Sequence, residues 1–409
     1  MDTIDSKFRD LSVEEFDTST LLSHANEQAI QRRYEDFLIV DVDGHHYETE
    51  SFAQICDFIE DPVMRDQAKY QGFGAPGIGA GGNYQSLGGR VTRYPGRRKE
   101  KTPAGILRDL SLTRRWMDAI GIDILCLFPT PMLALGFTPR VEVEVALARA
   151  YNRWLCDTVL AHEPRIKSSL YLPMNDPEAA YKVVEEFAGR QGVVGFTVCT
   201  ARHKPLYDNV YMKTYAAVEE RGLPLIFHSQ FGGGANDPSL NLCNRFMAAH
   251  ALGFSWFNIL HCTNWICNGL PERFPKLKTM WVESGLAWIP FLMQRLDNEW
   301  MMRSSEVPLL KKKPSDYMRD MFYSTQPMEM VHNTKALELT FEMINAETQL
   351  LYASDYPHWD MDLPSTIYDL PFLSETAKRN ILGGNAKKLF NLEPTISQVK
   401  AQRLAARAQ

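Results

Sequence analysis

Eight short runs rich in β-branched and aromatic residues recur between residues 37 and 355, and longer segments of helical periodicity fill most of the gaps. The runs are FLIVDVD (37–43), IDILCLFP (122–129), IKSSLYLP (166–173), GVVGFTVC (192–199), LPLIFHS (223–229), LKTMWVES (277–284), DMFYST (320–325) and QLLYASD (349–355). VEVEVALARAYNRWLCDTVL and PEAAYKVVEEFAGR are typical of the helical segments between them. Strands that alternate with helices predict βα units around a parallel sheet, and eight such units predict a (β/α)8 TIM barrel. A chain of 409 residues is long for one core, but a barrel with insertions reaches that size. The whole chain, 1–409, is therefore read as a single barrel domain with its core at about 36–392. Residues 71–105 are rich in Gly, Pro and basic residues, lack periodicity, and are expected to form a long insertion after strand 1, a surface loop or a lid. The tail over about 395–409 reads as a charged helix, either peripheral or packed on a partner subunit.

The formal charge of −6 gives no footprint for nucleic acid or for an anionic membrane surface. No apolar run approaches the length of a membrane span. The acidic N-terminus (MDTIDSKFRDLSVEEFD) lacks the features of a signal peptide, so the expected location is the cytoplasm. Cys56, Cys126, Cys156, Cys199, Cys243, Cys262 and Cys267 are odd in number and form no paired CxxC clusters, which suits a reducing compartment.

The chemistry lies at the strand ends. In a (β/α)8 barrel the active site forms at the C-terminal ends of the strands. Here strand 1 ends in Asp41-Val-Asp43-Gly-His45-His46-Tyr-Glu48, strand 5 in His228, strand 6 in Glu283 and strand 8 in Asp355. Such groups are costly to bury alone, and a divalent cation compensates them. Asp43 and His45 are two apart and point the same way along a strand, whereas His46 points away. Asp41 either orients His45 or caps the strand, and Glu48 lies where a turn can return it to the metal. His261 and His250 fall in a helical pattern, from which a ligand reaches a barrel rim less often. His358 follows Asp355 in Tyr-Pro-His-Trp and reads as a loop-packing residue. There is no GxSxG elbow, and the glycines of 71–105 do not directly follow a strand and open a helix as those of a phosphate loop do.

At these residues the chain resembles the amidohydrolase superfamily, in the branch of aminocarboxymuconate-semialdehyde decarboxylase and related non-oxidative decarboxylases. The matching pieces are DVDGHHYE, GLPLIFH, GLPERFPKLKTMWVESGLAWIP, LLYASDYPH and ILGGNAKKLFNL, spread over about residues 36–392. The resemblance implies a metal held by Asp43, His45, His228 and Asp355. Two departures stand out: Asp43 replaces the family's more frequent His or Glu, and Glu283 stands where the decarboxylases carry a catalytic His.

With Glu48, Glu283 and His261 added, the rim offers up to seven ligands, more than one tetrahedral zinc needs. That set favours iron or manganese over zinc, as one or two ions per chain. In this it resembles a dinuclear Fe or Fe/Mn subgroup, the isobutyrate hydroxylases. The leading expectation is O2-dependent hydroxylation of a small organic carboxylate, with Glu283, Asp355 and His261 as catalytic groups. The alternatives are a mononuclear hydrolase or non-oxidative decarboxylase, and a partner subunit with a structural metal. Arg202 and His203, just past strand 4, are expected to hold the substrate's carboxylate, with Trp288 and Trp359 walling the pocket. A homo- or hetero-oligomer with a homologous chain completes the expectation.

Overall fold

In the computed structural model the described residues are 18–72, 102–199, 204–228, 243, 245–329, 334–358, 360–393 and 395–408. The strands are β1 (Val40–His46), β2 (Ile124–Pro129), β3 (Ile166–Tyr171), β4 (Val193–Val198), β5 (Leu225–His228), β6 (Thr279–Val282), β7 (Phe322–Ser324) and β8 (Leu350–Leu351). They pair in parallel in the order β1 to β8. Val42 N–H donates to Tyr352 O (3.0 Å) and Asp355 N–H to Asp43 O (2.7 Å), which closes the ring between its two ends. Every expected run holds its strand. The last two strands are shorter than their runs because side chains take over the ladder there. Thr325 Oγ1 accepts from Ala353 N–H (3.0 Å), and Asp41 Oδ1 accepts from Ser354 N–H (2.9 Å).

Among the described residues, the helices of nine residues or more are α1 (Thr18–Gln31), α2 (Pro62–Gln71), α3 (Arg108–Ile120), α4 (Val141–Leu155), α5 (Pro177–Phe187), α6 (Met212–Glu220), α7 (Phe246–Cys267), α8 (Trp288–Arg303), α9 (Thr334–Met343) and α10 (Gln398–Ala408). Their starts are written in the sequence. Asp176 accepts from Glu178 N–H and Ala179 N–H, and Asp61 from Met64 N–H, each just ahead of a proline in the first turn. The cap satisfies amides that have no partner within the helix, and proline has no amide to lose there.

Two apolar layers result. Val40, Val42, Ile124, Cys126, Phe128, Val194, Ile226, Met280, Val282, Leu351 and Ala353 form a buried cluster from alternate strand positions, filling the barrel interior. A larger cluster lies between strands and helices and includes the fully buried Trp116, Trp154 and Trp281. Removing such a side chain costs roughly 3–5 kcal/mol. Of the expected insertion, residues 73–101 lie outside the described residues, between α2 and α3. The C-terminal tail is a helix, as expected, and it packs on its own barrel. Lys400 of α10 is buried, with Nζ bonded to Asp123 Oδ2 and to Phe37 O (2.7 Å).

Candidate metal centre

Strand β1 brings two polar groups to the rim because its alternation slips. The register with β2 shifts between Asp41 and Gly44. A bulge of this kind re-aims side chains, and it lets Asp43 and His45 face the mouth above the inward Val40 and Val42. Gly44 leaves room at the bulge, since a Cβ there would sit 2.8 Å from Leu125 Cδ1 and force that side chain to shift. Asp43 Oδ1 and His45 Nε2 are 3.2 Å apart, and His228 Nε2 lies 3.2 Å from the first and 3.3 Å from the second. Asp355 Oδ1 lies 3.2 Å from His45 Nε2. All four side chains are buried. The sequence placed these four together, and the fold does.

The structure adds His358, which the sequence reading left as loop packing. Its N–H donates to Asp355 O (2.8 Å), closing a four-residue turn that brings the imidazole back over the site. His358 Nδ1 is 2.6 Å from Asp355 Oδ1, and its ring stacks on that of His45 with centroids 4.3 Å apart. The i to i+3 spacing of Asp and His around a proline was the available signal. Two groups of ligand atoms therefore converge among the described residues, Asp43/His45/His228 and His45/Asp355/His358, sharing His45.

Glu283 stands beside these groups. Its Oε2 is 3.5 Å from His228 Nδ1, and its Oε1 is 4.0 Å from His358 Nδ1. A carboxylate facing the far nitrogen of a ligand imidazole fixes the ring's tautomer and orientation. His45 is held by the same logic, with Nδ1 2.8 Å from Pro129 O and Nε2 turned into the cluster. Glu283 and Asp355 both adopt left-handed backbone, with φ of 53° and 57°. For residues other than glycine this costs of order 1–3 kcal/mol each and persists where the surroundings impose it. Both distortions fall where a strand hands its side chain to the site.

Burial alone would neutralise these groups, but they charge one another. It pushes the carboxyls of Asp43 and Asp355 up, yet His228 and His45 hold Asp43 well below the usual range, and His358 and His45 hold Asp355 below it. Burial works to lower His45, but Asp43 and Asp355 overcome it and lift the imidazole to about 10. Among the described residues, Asp43 Oδ2 and Asp355 Oδ2 receive no hydrogen bond. Anionic, buried oxygens without donors, beside two imidazole nitrogens turned toward them, suit a divalent cation. The residues present fit such an ion, with Asp43, His45, His228 and Asp355 as its holders.

A model of the amidohydrolase family matches residues 114–392 of the chain. The chain belongs to the amidohydrolase family. The γ-resorcylate decarboxylase of Polaromonas sp. is 26% identical over 289 residues, which cover 68% of this amidohydrolase and 86% of that enzyme. The crystal structure of 5-carboxyvanillate decarboxylase from Sphingomonas paucimobilis superposes with a TM-score of 0.61 at 22% identity, over 87% of this chain and 100% of that one. A dihydroxybenzoic acid decarboxylase from Polaromonas sp., solved with bound manganese and the inhibitor 2-nitroresorcinol, gives a TM-score of 0.60 at 19% identity, over 87% and 97%. The two structures share the fold.

The remaining expected residues of the amidohydrolase lie apart from these groups. Glu48 is buried, but its two oxygens accept the backbone amides of Thr130 and Met132, so it caps the turn after β2 rather than joining either ligand group. Carboxylates favour such helix starts because the free amides point outward there. His261, on α7, packs its ring edge-on against Phe257 (4.3 Å) and belongs to neither group. Trp288 is a core residue whose indole N–H donates to Gly285 O (3.0 Å) and whose ring meets the edge of Tyr323. Arg202, His203 and Trp359 lie outside the described residues. Asp41 does not orient His45. It ties β1 to β8 through Ser354, and burial, against those hydrogen bonds, pushes its carboxyl up to about 7. His46 faces away as expected, with Nε2 2.8 Å from Tyr151 OH and its ring stacked on Trp154.

Proposed function

We propose that this amidohydrolase is a divalent-metal-dependent, non-oxidative decarboxylase of a small aromatic carboxylate. The observation that carries the reading is the buried convergence of Asp43, His45, His228 and Asp355 at the barrel mouth. The activities of the similar decarboxylases support it, whereas they lend nothing to the O2-dependent hydroxylation expected first from the sequence. Manganese is the ion the comparison favours, since a similar decarboxylase holds it.

Asp43, His45, His228 and Asp355 would hold a divalent cation, which would supply Lewis-acid chemistry toward the substrate's oxygens. In decarboxylation the bond from ring carbon to carboxylate breaks, its electron pair stays on the ring, and a proton takes the place of the departing CO2. The chain must therefore hold a proton near the ring carbon. The contact between Asp355 Oδ1 and His358 Nδ1 at 2.6 Å supports a role for this pair in holding and passing that proton. His358 Nε2 lies 3.3 Å from Thr130 Oγ1, a second partner for the imidazole. Glu283 keeps His228 in register, which gives the departure from the decarboxylase pattern at strand 6 a positioning role.

One observation favours a second reading, hydroxylation with O2 at a site of two iron or manganese ions. The two ligand groups share His45, and Glu283 adds a further carboxylate beside both. Elemental analysis of the purified chain, followed by assays of CO2 release from hydroxybenzoates and of O2 uptake with small carboxylic acids, separates the readings. Decarboxylation requires CO2 release without O2 uptake. Two iron-containing sites with O2 uptake and no CO2 release would establish the second reading and end the first.

A further inference from the structure

Glu283 holds a left-handed backbone, and for a residue other than glycine the surroundings must impose that shape. Gly285 (φ 73°) repeats it, so left-handed residues flank Ser284 on both sides. Partners from three elements fix this turn. From α7, Asn258 Nδ2 donates to Val282 O (3.0 Å), just before Glu283, and to Ser284 Oγ (2.9 Å), just after it. Ser255, about one helical turn earlier, donates from Oγ to Ser284 O (2.7 Å). From β7, Ser324 Oγ accepts from Glu283 N–H (3.2 Å). From the loop beyond β7, Glu329 accepts the amides of Leu286 and Ala287, each at 3.0 Å. Those amides precede α8 and have no partner inside it.

Asn258 is the most telling member of this clamp. It is fully buried. Val282 O can only accept, so the amide nitrogen must be the end that faces the turn. Its Oδ1 then receives no hydrogen bond among the described residues. A buried amide oxygen without a donor is costly, and a leucine of similar size would avoid that cost. What the asparagine contributes is therefore the pair of bonds that straddle Glu283. Glu329 grips the same turn from its other end, and Gly285 lets it come close, since a Cβ there would sit 2.5 Å from Glu329 Oε1.

We propose that Asn258 and Glu329 are positioning residues of the metal centre. Neither belongs to the ligand groups. They act through Glu283: with its turn pinned at both ends, Glu283 Oε2 stays 3.5 Å from His228 Nδ1, and the His228 ring stays aimed at the cluster. The inference rests on the reading of Glu283 as the partner of His228. It does not depend on which reaction the site performs, and its test needs no substrate.

The test is a double-mutant cycle on the Mn2+ affinity of the full chain, measured by competition with a chelator. Glu283→Ala is expected to weaken Mn2+ binding by about 10–100-fold, and Asn258→Leu by about tenfold. In the Glu283→Ala background, Asn258→Leu is expected to cause no further loss, because the group it positions is gone. An asparagine that only supports the fold would add its loss in either background. Should Asn258→Leu fail to fold, Glu329→Ala, at a half-buried position, enters the same cycle with the same pattern expected. Unchanged affinity in the Asn258 and Glu329 variants overturns the proposal, as do equal losses with and without Glu283; both outcomes leave Glu283 as the partner of His228. Unchanged affinity in Glu283→Ala overturns that reading as well, and so does a wild type that binds no Mn2+.

Discussion

At the N-terminal end of the barrel an ion pair is sealed in, whereas at the C-terminal end carboxylates and imidazoles crowd together without enough hydrogen bonds to go round. Below, Asp123 Oδ2 takes Lys400 Nζ and the Ile39 amide, and Lys400 Nζ also reaches Phe37 O. Burial keeps the carboxyl of Asp123 raised and the ammonium of Lys400 lowered in spite of their attraction. Both shifts say that the pair was costly to bury. Above, the carboxyls of Asp43 and Asp355 are driven the other way, held acidic by the imidazoles around them although two of their four oxygens lack a donor. One end is closed and complete within the chain. The other is charged and awaits something from outside it.

The sharpest way to break this contrast is at the upper end. Asp355→Ala should lower kcat by about 10²–10⁴-fold while leaving the far-UV circular dichroism spectrum of the barrel in place; near-normal turnover would remove Asp355 from the chemistry. At the lower end the effect belongs to stability. Lys400→Met strands a buried carboxylate and should cost about 3–5 kcal/mol in urea unfolding. The double replacement Lys400→Met with Asp123→Leu should recover most of that loss, and a failure to recover would mean that the pair itself stabilises the fold. Glu283→Gln keeps shape but weakens the grip on His228, so metal affinity or activity should fall about 10–100-fold. No change would show that Glu283 does not position that imidazole.

The smallest effect is a slope with pH. In the metal-free site His45 is protonated up to about 10, and that proton must leave before Nε2 can bind a cation. Competition with a chelator should therefore show metal affinity rising with pH, by about tenfold per unit where one proton is displaced. The metal-free protein should move the opposite way. A histidine whose pKa is raised on folding contributes stability that is complete below its unfolded value and fades as pH climbs through about 10. Parallel pH trends for the metal-free and metal-loaded forms would contradict that assignment.

The architecture was legible because the period of the chain states it. Each of the eight runs holds a strand, strand ends singled out Asp43, His45, His228 and Asp355 among the candidates, and the family resemblance grouped those four. What the sequence hid was local. His358 belongs with the site because a turn reverses the chain just after Asp355, and the residues of a turn do not announce where an imidazole will point. Glu48 was drawn to the metal by its proximity in sequence, but free amides at the end of β2 claim it first. The tail reads as a surface helix by composition. Only the fold shows that Lys400 passes beneath the barrel, where a counter-charge waits.

The closing bonds between β1 and β8 also set a timetable. Asp41 and Ser354, whose hydrogen bonds tie the first strand to the last, stand 313 residues apart. At roughly 5–20 residues per second, a ribosome needs about 15–60 s to pass from one to the other. Through that interval Asp43 and His45 are already made, and Asp355 does not yet exist. The complete set of four holders cannot form until Asp355 has been made, so loading with a cation is a late event in the life of the growing chain.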